Sequence, residues 1–234
     1  MRNVLLRVLR EREPELDRHL RSVAQLSIEL GHTIHLNAEQ LDEVARAAEL
    51  HDIGKIAVPD AILHKQAPLN AREWQIMRNH PLIGERILSS APAMTPVAKL
   101  VRATHERWDG GGYPDGLAEE EIPLGSRLIA VCDAFVAMTE PRPWRTPLTF
   151  EAAASELQRC AGMQFDPALV ASFCAFVYPD LLLGSKTGAT AEDSAAGRAK
   201  PRDVRTEVHL ETSDIQEHSD ALNLHEDAEP DLSD

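Results

Sequence analysis

Apolar residues recur every three or four positions through most of this chain, and this periodicity limits its possible folds more than any other feature. Leu41, Val44, Ala45 and Ala48 share one face of a predicted helix, and the same spacing returns in later segments. No segment alternates apolar and polar residues convincingly, as a half-buried strand does. The sequence therefore predicts an all-α protein, a bundle of helices joined mostly by short loops.

Residues typical of helix ends divide the chain into segments. A first helix is predicted over residues 14–31, ending at Gly31, and a second is predicted to end at Gly54. The segment "WQIMRNHPLIGERIL" is predicted to form one helix. Residues 55–69 and 107–125 are the longer loops. The residues predicted to begin later helices are Asn37, Asn70, Thr95, Ser126, Thr149 and Asp166.

Charge and aromatic content separate the C-terminal end from the rest of the chain. The net charge is −14, and from Asp203 onward there are eleven acidic residues and one arginine. No aromatic residue follows Tyr178. Such a segment buries too little apolar surface to offset the entropy lost on ordering. We therefore predict a folded domain over residues 1–182 and a disordered acidic tail over residues 183–234. The tail is either a solvated segment without a specific role or an arm that binds a partner.

Composition also excludes several classes of protein. The acidity argues against binding of nucleic acid polymers by broad charge neutralisation. The three cysteines form no paired framework, which fits a reducing compartment. There is no signal-peptide pattern and no run approaching the roughly 20 apolar residues of a membrane helix. The sequence predicts a cytoplasmic protein that does not bind a membrane.

Titratable side chains interrupt the apolar helices. The stretch "ELHDIGKIAVPD", residues 49–60, ends a helix with His51 and Asp52, and Lys55 follows. Each such residue alone could be a helix cap, a salt-bridge partner or a buried hydrogen-bonding group. Together they form a set on different helices, which is how helical bundles build metal sites. The set is Glu15, His19, His51, Asp52, His80, His105 and Asp133.

The chemistry of this set favours particular metals. Imidazole and carboxylate ligands suit Fe, Mn, Zn or Co better than Ca or Mg. An aspartate next to a histidine can bridge two ions, and two ions about 3.5–4 Å apart activate water and hold a phosphate for in-line displacement. Lys55 could then neutralise phosphate oxygens. The alternative for Lys55 is a charge interaction with the end of its own helix.

Two further segments carry candidate ligand-binding residues. In "THERWDGGGYPDGLAEEEIPLGSR", three consecutive glycines allow the backbone to approach a ligand closely. Trp108 and Tyr113 either stack on a base or pack the loop against the protein. In "EPRPWR", Arg142 and Arg145 suit phosphate oxygens, although surface salt bridges are their commoner use.

Over about residues 12–180 the chain resembles an HD-GYP domain, a subset of the HD metal-dependent phosphohydrolases. The resemblance is carried, in order, by "ELDRH", "HDIGKIAVPDAIL", "REWQIMRNHPLIGERIL", "HERWDGGGYPDGLAEEEIPLGSRLIAVCDAF", "RPWR" and "QFDPALV". It implies an HD-type helical bundle that hydrolyses cyclic di-GMP, a bacterial second messenger in signal transduction. It also implies two or three divalent metal ions, with iron or manganese favoured.

The resemblance implies a role for each candidate residue. The implied ligands of one ion are His19, His51, Asp52 and Asp133. Asp52 would bridge to a second ion, whose other ligands would be His80 and His105, and Glu15 would serve a third. Lys55 would contact the scissile phosphate. The residues implied around the dinucleotide are Tyr113, Arg142 and Arg145. A metal-bridging hydroxide would cut one phosphodiester to give pGpG, and a second cut would give GMP.

Two positions depart from the family pattern. Thr104 stands where the family usually has the first of two adjacent histidines, and Val136 replaces a common aspartate. The second ion would lose one imidazole, whereas the ligands of the first are unchanged. The alternatives are therefore a weakened cyclic di-GMP phosphodiesterase, a non-catalytic cyclic di-GMP receptor or interaction module, and an HD phosphohydrolase for another nucleotide. The resemblance also implies a regulatory protein acting in trans, with a receiver or GGDEF domain, and allows a homodimer.

Overall fold

The computed structural model describes residues 2–12, 16–141 and 146–177. Ten α-helices lie within these ranges: α1 (Arg2–Arg12), α2 (Leu16–Thr33), α3 (Ala38–Leu50), α4 (Asp60–Leu63), α5 (Ala71–Met77), α6 (His80–Leu88), α7 (Thr95–Arg102), α8 (Leu124–Thr139), α9 (Phe150–Arg159) and α10 (Pro167–Val177). Three 3₁₀ turns lie at Ile53–Ala57, Pro92–Met94 and Glu119–Glu121. The same ranges contain no strand beyond one isolated bridge, Ala161–Phe165, so the all-α prediction is confirmed.

The centre of the protein is formed by α2, α3 and α8, which pack against one another. Leu30, Val44 and Leu128, one from each helix, are buried in the shared core. Burying each such side chain contributes roughly 1.5–3 kcal/mol. α7 packs against α3 and α6, and α9 and α10 pack against α8. None of the helices in the described residues is both long and apolar enough to cross a membrane.

Local capping signals predict several helix ends correctly. Asn37 and Asn70 each form a capping box, with Gln40 and Glu73 respectively. The Thr149 hydroxyl accepts a hydrogen bond from the Ala152 N–H. A carboxylate oxygen of Asp166 likewise accepts from the N–H groups at the start of α10.

Other helix ends differ from the prediction because tertiary contacts decide them. α2 continues to Thr33, past Gly31, and α3 ends at Leu50 because the chain turns there into the 3₁₀ turn Ile53–Ala57. Thr95 is the first residue of α7 and not its cap, since a 3₁₀ turn precedes it. α8 begins at Leu124, two residues before Ser126. The Ser126 hydroxyl does not cap the helix, because it donates to the Leu100 carbonyl.

The single helix predicted over "WQIMRNHPLIGERIL" is wrong: the segment forms α5 and α6. In a continuous helix the Met77 carbonyl would accept a hydrogen bond from residue 81, but Pro81 has no N–H. The His80 side chain supplies the missing hydrogen bond, because the ring Nδ1 lies 2.8 Å from the Met77 carbonyl oxygen. The break therefore sets the direction of the His80 ring.

Several predictions concern residues outside the described ranges. The predicted metal ligand Glu15, the predicted substrate contacts Arg142 and Arg145, and the tail over residues 183–234 all lie there, as does the boundary at residue 182. They stay predictions.

Candidate metal centre

Six of the predicted metal ligands meet at one place in the bundle. They form two groups in which every pair of candidate ligand atoms lies within 4.8 Å. One group is His19, His51 and Asp133, and the other is Asp52, His80 and His105. They come from α2, the end of α3, the start of α6, the segment after α7 and the middle of α8. Only the folded bundle brings these positions together.

The first group is centred on one carboxylate oxygen of α8. Asp133 Oδ1 lies 2.8 Å from His19 Nε2 and 3.8 Å from His51 Nε2. Metal–ligand bonds of about 2.0–2.2 Å leave neighbouring ligand atoms roughly 3 Å apart. These atoms are therefore spaced as the ligands of one ion are.

The second group is similarly close. His80 Nε2 lies 2.9 Å from His105 Nε2 and 3.4 Å from Asp52 Oδ1. Asp52 also connects the two groups, because its other oxygen, Oδ2, lies 3.6 Å from His51 Nε2. One oxygen of this buried carboxylate thus faces each group, which is the arrangement a bridging ligand requires.

Backbone carbonyls fix the orientation of two of the imidazole rings. His51 Nδ1 lies 2.8 Å from the Ala48 carbonyl oxygen, just as His80 Nδ1 lies 2.8 Å from that of Met77. A carbonyl only accepts, so Nδ1 must donate in both rings. In the neutral ring, Nε2 is then left with a free lone pair directed at the cluster. Such carbonyl partners are the usual support of metal-binding histidines.

Gly54 allows this geometry because it has no side chain. A Cβ at this position would lie 1.8 Å from the His80 carbonyl oxygen. No other residue allows the turn Ile53–Ala57 to pack so closely on the start of α6. This contact brings Asp52 close to His80. Gly54 is therefore needed for a tertiary contact, and it does not end the helix as the sequence predicts.

The charges of the cluster follow from burial and its neighbours. Burial lowers the pKa of His105 to about 4 and holds the pKa of His80 well below its usual value, so both rings are neutral at pH 7. Burial alone would raise the pKa of Asp52, but the charge of Lys55 keeps it well below its ordinary value. The carboxylate is therefore ionised although it is buried.

His19 has a different environment from the other rings. Burial opposes protonation, but hydrogen bonds with Asp133 and Glu140 raise its pKa to about 9. Both ring nitrogens therefore donate to carboxylates in the metal-free protein. An ion in the first group would replace the proton on Nε2, since metal ligands bind in their deprotonated form.

A divalent cation fits the residues present. Asp52 Oδ1 is buried and has no hydrogen-bond donor among the described residues. It faces His80 Nε2, which carries a lone pair. Acceptor atoms that converge in a buried site repel one another unless a cation lies between them. The donor set of nitrogen and carboxylate oxygen suits a borderline divalent ion such as iron, manganese, zinc or cobalt.

Two of the predicted substrate-contacting residues lie beside the cluster. Lys55 Nζ donates to Asp52 Oδ2 at 2.8 Å, so its charge is at the centre and not at the end of α3. The Tyr113 ring stacks on the His105 ring, with centroids 5.2 Å apart and planes 6° from parallel. The backbone N–H of Tyr113 donates to the His105 carbonyl at 3.1 Å, and this hydrogen bond connects the glycine-rich loop to the centre. Trp108, in contrast, lies beside the Arg127 guanidinium.

Sequence reasoning missed Glu140, the residue that supports His19. Its Oε2 lies 3.2 Å from His19 Nδ1, and the Ser22 hydroxyl donates to its Oε1 at 3.3 Å. A signal was available, because Glu140 follows Asp133 by two helical turns and so lies on the same face. The signal was weak, since Glu140 stands just beyond the end of α8.

The two positions that depart from the family pattern are both buried. The Thr104 hydroxyl donates to the Val101 carbonyl at 2.9 Å, so it bonds to its own backbone. Val136 is part of the apolar core. Neither residue adds a charged or imidazole ligand to the cluster.

Comparison with known proteins gives a consistent result. Residues 3–169 match the family model described as HD domain. The chain is 40% identical to a cyclic di-GMP phosphodiesterase of Thermotoga maritima over 172 residues, which are 72% of this chain and 47% of that protein. It is 39% identical to the 3'3'-cGAMP-specific phosphodiesterase 2 of Vibrio cholerae over 168 residues, which are 71% of this chain and 32% of that protein.

The chain thus spans less than half the length of either relative. Among solved structures, an HDG"Y"P protein of Bdellovibrio bacteriovorus has a TM-score of 0.55 at 17% identity, covering 69% of this chain and 52% of that one. At that identity the likeness shows a common fold. We conclude that the chain belongs to the HD domain family, as the HD-GYP resemblance of its motifs predicts.

Proposed function

We propose that this protein is a metal-dependent phosphodiesterase that hydrolyses a cyclic dinucleotide, cyclic di-GMP in the first place, to pGpG or GMP. The observation that carries the proposal is Asp52, a buried, ionised carboxylate with one oxygen directed at each of two groups of ligand atoms. The relatives named for cyclic di-GMP and 3'3'-cGAMP hydrolysis support the substrate class. Iron or manganese is the metal we propose, since the donor set mixes nitrogen and oxygen.

Two ions bound to these groups would activate a water molecule and stabilise the charge that develops on the phosphate. The protein's own contribution is to hold the ligands rigidly. The His51 and His80 rings are fixed by backbone carbonyls, and His19 is fixed by Glu140. Each ring therefore presents Nε2 to the centre without the need to reorganise.

Lys55 is the proposed phosphate contact. Its ammonium donates to Asp52 Oδ2, and its side chain is about a quarter exposed. Ions held by Asp52 would neutralise its charge, and the Lys55 ammonium would then be available to a phosphate oxygen that enters from solvent. Tyr113 borders the same region through its contact with His105, and burial raises its pKa above the ordinary value, so it stays a neutral hydrogen-bonding group.

The test is turnover by protein purified anaerobically and loaded with Fe²⁺ or Mn²⁺. Cyclic di-GMP, 3'3'-cGAMP and cyclic di-AMP are offered separately, and the products are separated by chromatography. We expect pGpG or GMP from cyclic di-GMP, and loss of turnover in His51→Ala and Asp52→Asn. His35→Asn is the matched control, because His35 is exposed and has a positive φ of 63°, which asparagine tolerates.

Absence of turnover with both metals would contradict the proposal. Preferential cleavage of another cyclic dinucleotide would keep the reaction and correct the substrate.

Thr104 favours a second candidate, a cyclic di-GMP receptor without catalysis. This residue bonds to its own backbone, and the second group is left with three ligands from the protein. Calorimetry separates the candidates, because the receptor must bind cyclic di-GMP saturably without forming products. Turnover that appears only in Thr104→His would favour the receptor for the native chain.

A further inference from the structure

Arg78 lies beside the metal centre and has no role in the mechanism described above. It follows the last residue of α5 and precedes the candidate ligand His80 by two positions. Its guanidinium carbon lies 5.5 Å from the centre of the Tyr113 ring. The same ring stacks on His105. One aromatic side chain thus contacts both Arg78 and a member of the second group of ligands.

The guanidinium lacks the partners that other arginines have. Its Nε–H is buried and has no acceptor among the described residues, which also provide no carboxylate within salt-bridge distance of Arg78. The partly or largely buried arginines that do have carboxylate partners are Arg12, Arg46, Arg102, Arg107 and Arg127. Since desolvating an unpaired donor costs free energy, a ligand that accepts from Arg78 would recover it.

Contact with an aromatic ring does not satisfy these donors. The ring attracts the cation through its quadrupole and offers the N–H groups no oxygen or nitrogen acceptor. The Tyr113 ring therefore positions Arg78 and leaves the donors available. A planar fork of N–H donors matches the oxygens of a phosphate.

A cyclic dinucleotide contains two phosphodiesters, of which only one can occupy the metal centre at a time. Lys55 lies next to Asp52 in the centre itself. Arg78 lies against Tyr113 and, among the described residues, is a second cation near the centre that is placed to bind the other phosphate. We propose that Arg78 binds the phosphodiester that is not being cut, and so selects cyclic dinucleotides over substrates with one phosphodiester. This inference rests on the function proposed above.

The experiment compares two substrates in three variants. Cyclic di-GMP has two phosphodiesters and bis(p-nitrophenyl) phosphate has one. Arg78→Met removes the charge and the donors, and Arg78→Lys keeps the charge without the fork. Arg72→Met is the matched control, because Arg72 is exposed on the same helix. Metal content is measured for every protein.

We expect Arg78→Met to raise KM for cyclic di-GMP by roughly 10- to 100-fold, the usual cost of a lost charged hydrogen bond. Cleavage of bis(p-nitrophenyl) phosphate and metal content should not change. Arg78→Lys should fall between Arg78→Met and the native protein, and Arg72→Met should match the native protein. If Arg78→Met does not fold, an intermediate KM in Arg78→Lys supports the proposal and a native KM overturns it.

Other results would overturn the inference. An unchanged KM in folded Arg78→Met excludes a substrate contact, and equal losses on both substrates with loss of metal would assign Arg78 to the centre itself. Failure of the proposed function has a different signature: the native protein would cleave bis(p-nitrophenyl) phosphate and leave every cyclic dinucleotide intact, whatever the Arg78 variants do.

Discussion

Glu140 holds the ring nitrogen of His19 that does not contact Asp133. The distance from His19 Nδ1 to Glu140 Oε2 is 3.2 Å, while His19 Nε2 lies 2.8 Å from Asp133 Oδ1. A candidate metal ligand is therefore held from both sides by two carboxylates, one in the middle of α8 and one just beyond its end. This relationship leads to the first prediction.

Glu140→Ala should weaken metal binding without removing any metal ligand. Loss of such a supporting partner typically costs about 10- to 100-fold in metal affinity. Titration calorimetry with Mn²⁺ should show this loss in one binding step, with the other step unchanged. Glu120→Ala is the control, because Glu120 is an exposed residue of the 3₁₀ turn Glu119–Glu121. Native affinity in Glu140→Ala would show that packing alone holds His19.

Removal of metal should lower thermal stability. Ligand at one hundred times its dissociation constant stabilises the folded state by about 2.7 kcal/mol. For a domain of this size, each kcal/mol corresponds to roughly 2–4 °C. We therefore expect Mn²⁺ to raise the melting temperature of chelator-treated protein by about 5–10 °C. His80→Ala should reduce the rise and bind fewer ions. A melting temperature that is insensitive to metal would contradict both candidate sites.

Gly54→Ala should damage the fold and the centre together. The new Cβ would meet the His80 carbonyl oxygen at 1.8 Å, so the turn and α6 must separate. Overpacking of this kind costs about 1–3 kcal/mol, measurable by urea unfolding, and metal binding should fall with it.

Gly84→Ala is the matched control for that contact. Its Cβ would approach methyl groups of Val101 and Ile53 at 3.1 and 3.3 Å, which need to shift by only a few tenths of an ångström. If Gly84→Ala lost as much stability and metal binding as Gly54→Ala, the losses would not be due specifically to the contact between Gly54 and His80.

The three cysteines should be unreactive in the folded protein. Burial raises the pKa of Cys132 to about 12, of Cys160 to about 11, and the pKa of Cys174 also lies above its ordinary value. At pH 8 a thiol with a pKa of about 12 is ionised to about one part in ten thousand, and only the thiolate reacts readily. A colorimetric thiol reagent should detect three thiols after denaturation and no rapidly reacting thiol before it.

The sequence predicts best where one residue and its immediate neighbours decide the outcome. The capping boxes at Asn37 and Asn70 form as expected, since both partners lie within one helical turn. The sequence also points to the candidate ligand histidines and aspartates, because charged or imidazole groups rarely occur on buried faces without partners. Their division into two groups around Asp52 depends on helix packing, which the spacing of residues does not contain.

Residues whose roles depend on tertiary contacts were harder to predict. Gly54 looks like a helix terminator, and its close approach to His80 is visible only in the folded protein. Ser126 looks like a cap, but its hydroxyl bonds to Leu100 of another helix. Arg78 carries no signal in the sequence, because an unpaired arginine differs from a paired one only in its surroundings.

Because of the break between α5 and α6, the orientation of the candidate ligand His80 does not depend on neighbouring side chains. The His80 ring is oriented by its hydrogen bond to the Met77 carbonyl, which has no backbone donor because Pro81 lacks an N–H. Substitutions around the ring therefore change its packing but leave this hydrogen bond in place. Pro81 itself is the exception, since any other residue would supply an N–H that competes for the Met77 carbonyl. The backbone thus sets the orientation of a candidate metal ligand, through a proline that is not itself a candidate ligand.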